Sequence, residues 1–501
     1  MRSGEQYVEA LRDGRAVYLD GRVVSDVTAH PAFRGIVATI AELYEMAPDP
    51  ANGMTYRSPE TGGEANKVFM IPRSRQDLAA WREAITAWAY RSRGFVGRSP
   101  DHVAAFLAGF AGAPDVFAAD DRASAENVAR YHRRAASESL FTSYTIIPPQ
   151  ISRATTAHGW DEELLQVGVL EERDDGIVVR GSQMLGTSTA VSDTLLVSCI
   201  KPLAPEDERY ANTFVVPVAA PGVKVYCRRP YATGQPSAFD YPLSSRFDES
   251  DALVVFDDVF VPWEDVFVYR DVPRLRRQWF DTAAHVFGNT QAQIRLVVKL
   301  KFLLGVARRV TIVNGIERMP AVQDLLGELA ALAAPVEAAT LAAEATCSID
   351  AHGVARPNPR FLYGAMGSQA RMYPRVLEIL RELVGGGVIQ LPSSYRELVE
   401  PSTRPDMERY LRSGDTTAEE RVKLFKLAWD AIGSEFAGRH HQYEMFYAGA
   451  PFVARGYAMR NYDYEEALAS ADDFLADYDV ASVADAATGA GAGRAAATVT
   501  A

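Results

Sequence analysis

Arg98 is the side chain of this sequence whose type and setting most directly suggest chemistry. It follows Gly94-Phe95-Val96-Gly97 and precedes Ser99-Pro100-Asp101-His102, a glycine turn running into a helix start. Ser99 can cap such a helix and Pro100 suits its first position, so the guanidinium is expected to be held in place. A held guanidinium binds an anion or a phenolate, and the same fixity equally serves a structural salt bridge. His440 and Glu444 stand on one face of an expected helix, at a spacing that could ligate a metal. A di-iron bundle requires Glu-x-x-His helices, and the sequence contains none, so no metal is expected and His440 reads as structural. Gly385-Gly386-Gly387 closes an expected helix, either as C-cap chemistry or as a close approach of backbone to a cofactor. Phe425 to Tyr447 is amphipathic with an aromatic end and reads as core. With neither G-x-x-x-x-G-K-[ST] nor G-x-S-x-G, phosphate-loop and nucleophile-elbow chemistry are set aside. The run Gly489-Ala490-Gly491-Ala492-Gly493 has dinucleotide-like spacing but no strand before it or helix after it.

The elements that must position these groups fall into an order. From Gly4 to about Phe141 the spacing is helical, as in Leu78, Trp81, Ile85 and Trp88. After Pro148-Pro149 come short β-rich runs at Gly176 to Val179, Thr194 to Ser198, Phe214 to Val218, Val223 to Tyr226 and Leu253 to Phe256. Helical texture returns in long stretches at Arg295 to Val313, Met319 to Ser348, Tyr363 to Val384 and Ala418 to Tyr447, which predicts a bundle. This reads as a helical domain (1–143), a β domain (144–275), a helical bundle (276–480) and a disordered tail (481–501), with a cofactor cleft where the parts meet.

Composition bounds the partners. The formal charge is -13, from 52 Lys+Arg against 65 Asp+Glu, which argues against nucleic acid because phosphate binding needs a basic surface. Cys199, Cys227 and Cys347 are far apart, so neither a disulfide framework nor a cysteine zinc cluster is expected and the compartment reads as reducing. No uninterrupted apolar run reaches the roughly 18 residues of a membrane span, and Met1 to Asp20 has no signal-peptide apolar core, so a cytoplasmic location without membrane contact is expected.

Taken in order, several segments resemble the oxygenase component of the two-component, FAD-dependent 4-hydroxyphenylacetate 3-monooxygenase family. They are Tyr18-Leu19-Asp20-Gly21-Arg22, Asp26-Val27-Thr28-Ala29-His30-Pro31, Gly97-Arg98-Ser99-Pro100-Asp101, Asp240-Tyr241-Pro242-Leu243-Ser244-Ser245-Arg246-Phe247-Asp248-Glu249, Val261-Pro262-Trp263-Glu264, Leu391-Pro392-Ser393-Ser394 and Trp429-Asp430-Ala431-Ile432-Gly433-Ser434-Glu435-Phe436-Ala437-Gly438-Arg439-His440. The resemblance implies an α+β, mainly α, acyl-CoA-dehydrogenase-like fold: an N-terminal helical domain, a central β-barrel and a C-terminal four-helix bundle, assembled as a homotetramer. It implies reduced FAD delivered by diffusion from a separate NAD(P)H:flavin reductase, O2 as co-substrate, and hydroxylation of an aromatic small molecule through a flavin C4a-hydroperoxide. The cofactor would carry the chemistry while the protein orients and shields it.

In such relatives an Arg, a Tyr and a His meet the phenol oxygen. The matching Arg is Arg98; the Tyr position is held by His102 and the His position is assigned to Ser143. His102 could still take a proton at neutral pH, whereas Ser143 carries no charge. The resemblance also makes Thr187, in Gly181-Ser182-Gln183-Met184-Leu185-Gly186-Thr187-Ser188, the first flavin contact, Thr145 the second, and Gly387 a contact to the FAD of its own or a neighbouring subunit. The altered trio points to a different aromatic substrate, phenol-like or heteroaromatic (indole, pyrrole or amino-aryl), free or carrier-tethered; Arg93 and Arg98 suit an anionic one. Alternative readings are a flavin oxidase and a non-catalytic homologue that binds a small molecule. The 4-hydroxybutyryl-CoA dehydratases share this fold but need cysteine ligands, which the region from Arg98 to Val103 lacks.

Overall fold

Leu78, Trp81, Ile85 and Trp88 all turn inward along one helix, which Ser74 caps by accepting from the Asp77 N–H. Helical periodicity is thus a reliable guide in this chain wherever one face is buried. The computed structural model describes residues 1–118, 123–152, 154–232, 237–481 and 483–484. Most of the tail expected at 481–501, with its Gly489 to Gly493 run, lies outside the described residues. The first part contains α1 (Gly4–Ala10), β1 (Ala16–Leu19), β2 (Arg22–Val24), α2 (Arg34–Met46), the hairpin β3 (Thr55–Arg57) and β4 (Glu64–Asn66), α3 (Arg75–Arg91), α4 (Pro100–Gly112) and α5 (Ser124–Glu138). The middle contains β5 (Thr142–Thr145), β6 (Gly168–Arg173), β7 (Gly176–Gln183), β8 (Thr194–Val197), β9 (Thr213–Pro217), β10 (Val223–Cys227), the short α6 (Ser244–Phe247), β11 (Ala252–Pro262) and β12 (Val266–Val268). Then follow α7 (Val272–Phe280), α8 (Ala284–Val313), α9 (Pro320–Ala345), a minimal hairpin β13 (Ser348–Ile349) and β14 (Ala355–Arg356), α10 (Pro359–Val384), α11 (Arg404–Tyr410), α12 (Ala418–Ile432), α13 (Glu435–Phe446), α14 (Pro451–Arg460) and α15 (Tyr464–Ala476).

The helix, sheet, helix order of an acyl-CoA-dehydrogenase-like fold is what the chain adopts, with corrections to the expected details. The first third is not wholly helical, because β1 pairs in parallel with β10 and β2 extends that edge. A partner so distant in sequence leaves no mark on local periodicity. The β part is two packed sheets, ordered β2-β1-β10-β11-β7-β6 and β12-β9-β8-β5, rather than the expected closed barrel. Phe214 and Phe256 meet between them at 6.2 Å. Closure needs a continuous ladder; the edge strands β5 and β12 are only four and three residues long. Besides this side-chain packing, an isolated backbone bridge between Ile147 and Met184, just past the ends of β5 and β7, links the two sheets. The helix expected from Ala418 to Tyr447 is two, α12 and α13, broken at Gly433-Ser434, where Ser434 accepts from the Ala437 N–H and restarts the helix.

α8 runs through the centre and is buried on nearly every side over its first half. α9 is the one described helix long and apolar enough, by length and composition, to cross a membrane, although only 17% of that stretch is buried. Its Glu328 and Glu337 pair with Arg375 on α10 and Lys301 on α8, both at 2.6 Å.

Behind Arg98 the helices are tied together by a buried ion cluster. Glu444 on α13 accepts from Arg295 at 2.8 Å, Lys299 at 2.9 Å and Gln369 at 2.8 Å. Burial opposes the charge on Glu444, but Arg295 and Lys299 prevail and hold its pKa at about 2. Burial brings Lys299 down to about 8 despite the same carboxylate. Removing the anion alone leaves buried cations uncompensated, a change that costs about 3–5 kcal/mol. Glu444→Gln is therefore expected to lower unfolding free energy by about that amount, read from the urea midpoint at constant m-value. A loss under about 1 kcal/mol would show that water already reaches the cluster.

Candidate active site

The turn before Arg98 is built on close approach. Gly94 has φ 74°, and a Cβ there would fall 2.6 Å from the Arg295 carbonyl oxygen. Its own carbonyl accepts from Arg295 Nη1 at 2.7 Å. A Cβ on Gly97 would lie 2.3 Å from the Tyr443 hydroxyl, so glycine is what lets that ring sit beneath the next residue. The Arg98 N–H donates to Glu249. Pro100 opens α4 as expected, but Ser99 does not cap it: its hydroxyl donates to the Asp101 carboxylate.

The Arg98 guanidinium lies over the rings of Tyr447 at 4.8 Å and of Tyr144 and Tyr443 at 5.2 Å. Its Nη1 donates to His102 Nε2 at 2.9 Å. An arginine only donates, so that nitrogen carries the lone pair and the ring proton sits on Nδ1, 3.0 Å from Gln291 Oε1. Gln291 Nε2 in turn donates to Asp101 at 3.2 Å. Burial first, then Arg98, keeps the His102 pKa well below the ordinary imidazole value, so His102 is neutral. Burial raises Asp101 to about 6.

The structure brings Arg98 and His102 together and leaves Ser143 out. Side chains alternate along a strand. Ser143 therefore faces inward, bonding to Ser192 at 2.8 Å, while Tyr144 turns to the His102 ring at 5.3 Å. The residue β5 presents to Arg98 is thus Tyr144 and not Ser143. Tyr443 and Tyr447, which looked like core, complete the wall; their i, i+4 spacing at the end of α13 was the available signal. Gln291 had none, because only α8 crossing α4 reveals it.

The turn after β7, which holds Thr187, has strained backbone. Leu185 and Ser188 have φ 58° and 65°, strained backbone for such residues. Leu185 is 56% exposed beside Thr187, whose hydroxyl donates to Asp251 at 2.8 Å. Burial opposes the Asp251 charge, but Arg439 and Arg228 hold its pKa well below the carboxylate range, so Thr187 keeps its lone pairs for an incoming N–H. The buried hydroxyl of Ser188 has no hydrogen-bond partner among the described residues. Thr145 is wholly buried and supports this turn by donating to the Met184 carbonyl at 3.2 Å. Gly387 stands elsewhere, in the turn after α10 against Phe425. Arg93 is exposed on the wall of a separate cavity of about 810 Å³. His440 and Glu444 are engaged by Lys299 rather than poised for a metal.

Comparison with known proteins places this geometry. Residues 3–268 match the N-terminal region of 4-hydroxyphenylacetate 3-hydroxylase, and 275–476 match its C-terminal region. The chain is 35% identical to the 4-hydroxyphenylacetate 3-monooxygenase oxygenase component of Geobacillus sp. (strain PA-9), over 90% of this chain and 91% of that one. It is 36% identical to the (3S)-3-amino-3-(3-chloro-4-hydroxyphenyl)propanoyl-[peptidyl-carrier protein SgcC2] monooxygenase of Streptomyces globisporus, over 89% and 85% of the two chains. A crystal structure of the oxygenase component of 4-hydroxyphenylacetate 3-monooxygenase, complexed with FAD and 4-hydroxyphenylacetate, superposes with a TM-score of 0.90 at 34% identity, covering 95% of this chain and 99% of that one. The two matched regions span nearly the whole chain, which thus belongs to the 4-hydroxyphenylacetate 3-hydroxylase family.

Proposed function

We propose that the chain is the oxygenase component of a two-component, FAD-dependent monooxygenase that hydroxylates a phenol-like ring. The observation that carries this reading is the Arg98 guanidinium, a permanent donor walled by tyrosine faces and opening beside half-buried Tyr144. A donor-only group in a dry setting asks for an oxygen acceptor on an aromatic ring. An indole or pyrrole N–H offers no acceptor, so a phenol fits better than either. Arg98 stabilises the phenolate and thereby makes the carbon ortho to it nucleophilic. The tyrosine walls keep water from that carbon and orient the ring. Reduced FAD, when bound, supplies the electrons for splitting O2, one oxygen atom going to the ring and the other leaving as water. Met184 to Ser188 would hold the flavin, with the Thr187 oxygen accepting from it.

Several partners belong to the same proposal. A separate NAD(P)H:flavin reductase supplies reduced FAD, and the substrate is free or carrier-tethered. A homotetramer is supported by apolar surface that a single chain leaves in water: α15 buries no residue, and Leu468, Phe474 and Leu475 are exposed. The unpaired cysteines support a reducing compartment, the cytoplasm.

With FAD, any free flavin reductase and a panel of para-substituted phenols under 18O2, one labelled atom is expected in the product; hydrogen peroxide without labelled product would favour the oxidase alternative. Arg98→Ala is expected to keep reduced-FAD affinity within about twofold while kcat/KM for the phenol falls about 10²- to 10³-fold. Arg98→Lys should recover little, because an ammonium cannot stack between those rings as a guanidinium does. Unchanged turnover in Arg98→Ala would remove the residue from the mechanism.

A further inference from the structure

The hydrogen bonds around His102 have one direction. Arg98 donates to His102 Nε2, His102 Nδ1 donates to Gln291 Oε1, and Gln291 Nε2 donates to Asp101, whose other oxygen accepts from Ser99. Each proton position follows from the one before it, since Arg98 has no acceptor and an ionised Asp101 has no donor. The ring of His102 is 0% exposed. It is closed in by Phe106 at 5.2 Å and Tyr447 at 6.3 Å, with Arg98 across its free nitrogen. Both nitrogens are engaged, and the guanidinium stands where a substrate would have to approach.

We infer that Asp101 and Gln291 aim Arg98 at the substrate through His102, which is a positioning residue and not the acceptor of the substrate's proton. The inference rests on the aromatic-monooxygenase reading for the identity of the ligand, but its geometry belongs to the chain alone. A rotated imidazole would turn an N–H toward Arg98 and repel it; Gln291 prevents that by accepting only from Nδ1, and Asp101 prevents the Gln291 amide from flipping. The charged or titratable groups facing His102 are Arg98 before α4, Asp101 on α4, Arg295 on α8, Tyr144 on β5 and Tyr447 after α13. None accepts a proton from the imidazole directly, so the ring has nowhere to pass one.

The two roles separate by substitution. Glutamine at position 102 can accept from Arg98 through its carbonyl and donate to Gln291 through its amide, yet it cannot hold a substrate proton; leucine can do neither. Binding of 4-nitrophenol, read by the visible band of its phenolate, reports on the aim of Arg98 without flavin turnover. His102→Leu and Gln291→Leu are expected to weaken phenolate binding and kcat/KM about 10- to 100-fold, the size of one charged hydrogen bond. His102→Gln is expected to recover most of that loss. The acid limb of the pH profile should persist in His102→Gln near pH 6, because Asp101 takes a proton as pH falls through about 6 and stops accepting from Gln291. If His102→Gln loses as much as His102→Leu, or if its acid limb disappears, the imidazole is the proton acceptor and the inference fails. Thermal unfolding of each variant separates these outcomes from loss of fold. Phenolate binding that follows this pattern without any oxygenated product would instead sink the monooxygenase reading and leave the positioning chain standing.

Discussion

The interior of this protein is organised around the need to neutralise positive charge that has been taken out of water. Arg98, Arg295 and Arg439 all lie about one ring radius beyond contact with the face of Tyr443, at 5.2, 5.2 and 4.9 Å. Lys299 is buried beside them. A cluster of this kind can exist only if carboxylates are threaded through it. Glu444 serves Arg295 and Lys299. Glu249 accepts from Arg439 at 2.9 Å and from the Arg98 backbone, and Asp251 accepts from Arg439 at 2.7 Å and from Arg228 at 2.8 Å.

Because those partners are shared, the cluster joins places that would otherwise be independent. Thr187 in the candidate flavin turn donates to Asp251, Asp251 holds Arg439, Arg439 holds Glu249, and Glu249 holds the backbone of Arg98. Across the Tyr443 ring the same sequence of charges continues into α8 and α13. The surfaces proposed to take flavin and substrate are therefore fixed relative to each other by ionic contacts rather than by apolar packing alone. Low dielectric makes such contacts strong and directional, and it gives an aimed guanidinium more effect on a developing phenolate than it would have in water.

Legibility in the sequence followed the range of the interactions. The helices of the bundle, the β runs and the start of α4 were readable because each is set by local period, cap or proline. The Gly97-Arg98-Ser99-Pro100 segment was readable because it is short and contiguous. The separation of the β part into two open sheets, the attachment of β1 to β10 and the contacts of Gln291 were not, since each depends on a partner far along the chain. The inward turn of Ser143 was hidden for another reason. Matching segments by resemblance fixes a strand to within a residue, and on a strand one residue decides which face a side chain occupies. Tyr443 and Tyr447 are ambiguous in the sequence, because an aromatic stripe at helical spacing looks the same whether it lines a core or a ligand.

The brevity of β5 leaves its register in the hands of few side chains. The strand is held to β8 by backbone pairing from Thr142 to Thr145, and backbone pairing is indifferent to side chains. A slip of one residue would preserve that ladder while bringing an aliphatic hydroxyl beside Arg98 in place of the Tyr144 phenol, and would turn the phenol into the buried site that Ser143 fills. The small buried hydroxyls of Ser143, Thr189 and Ser192 leave no room for that ring, so the register of β5 is fixed by its inner face while its outer face decides what stands beside Arg98.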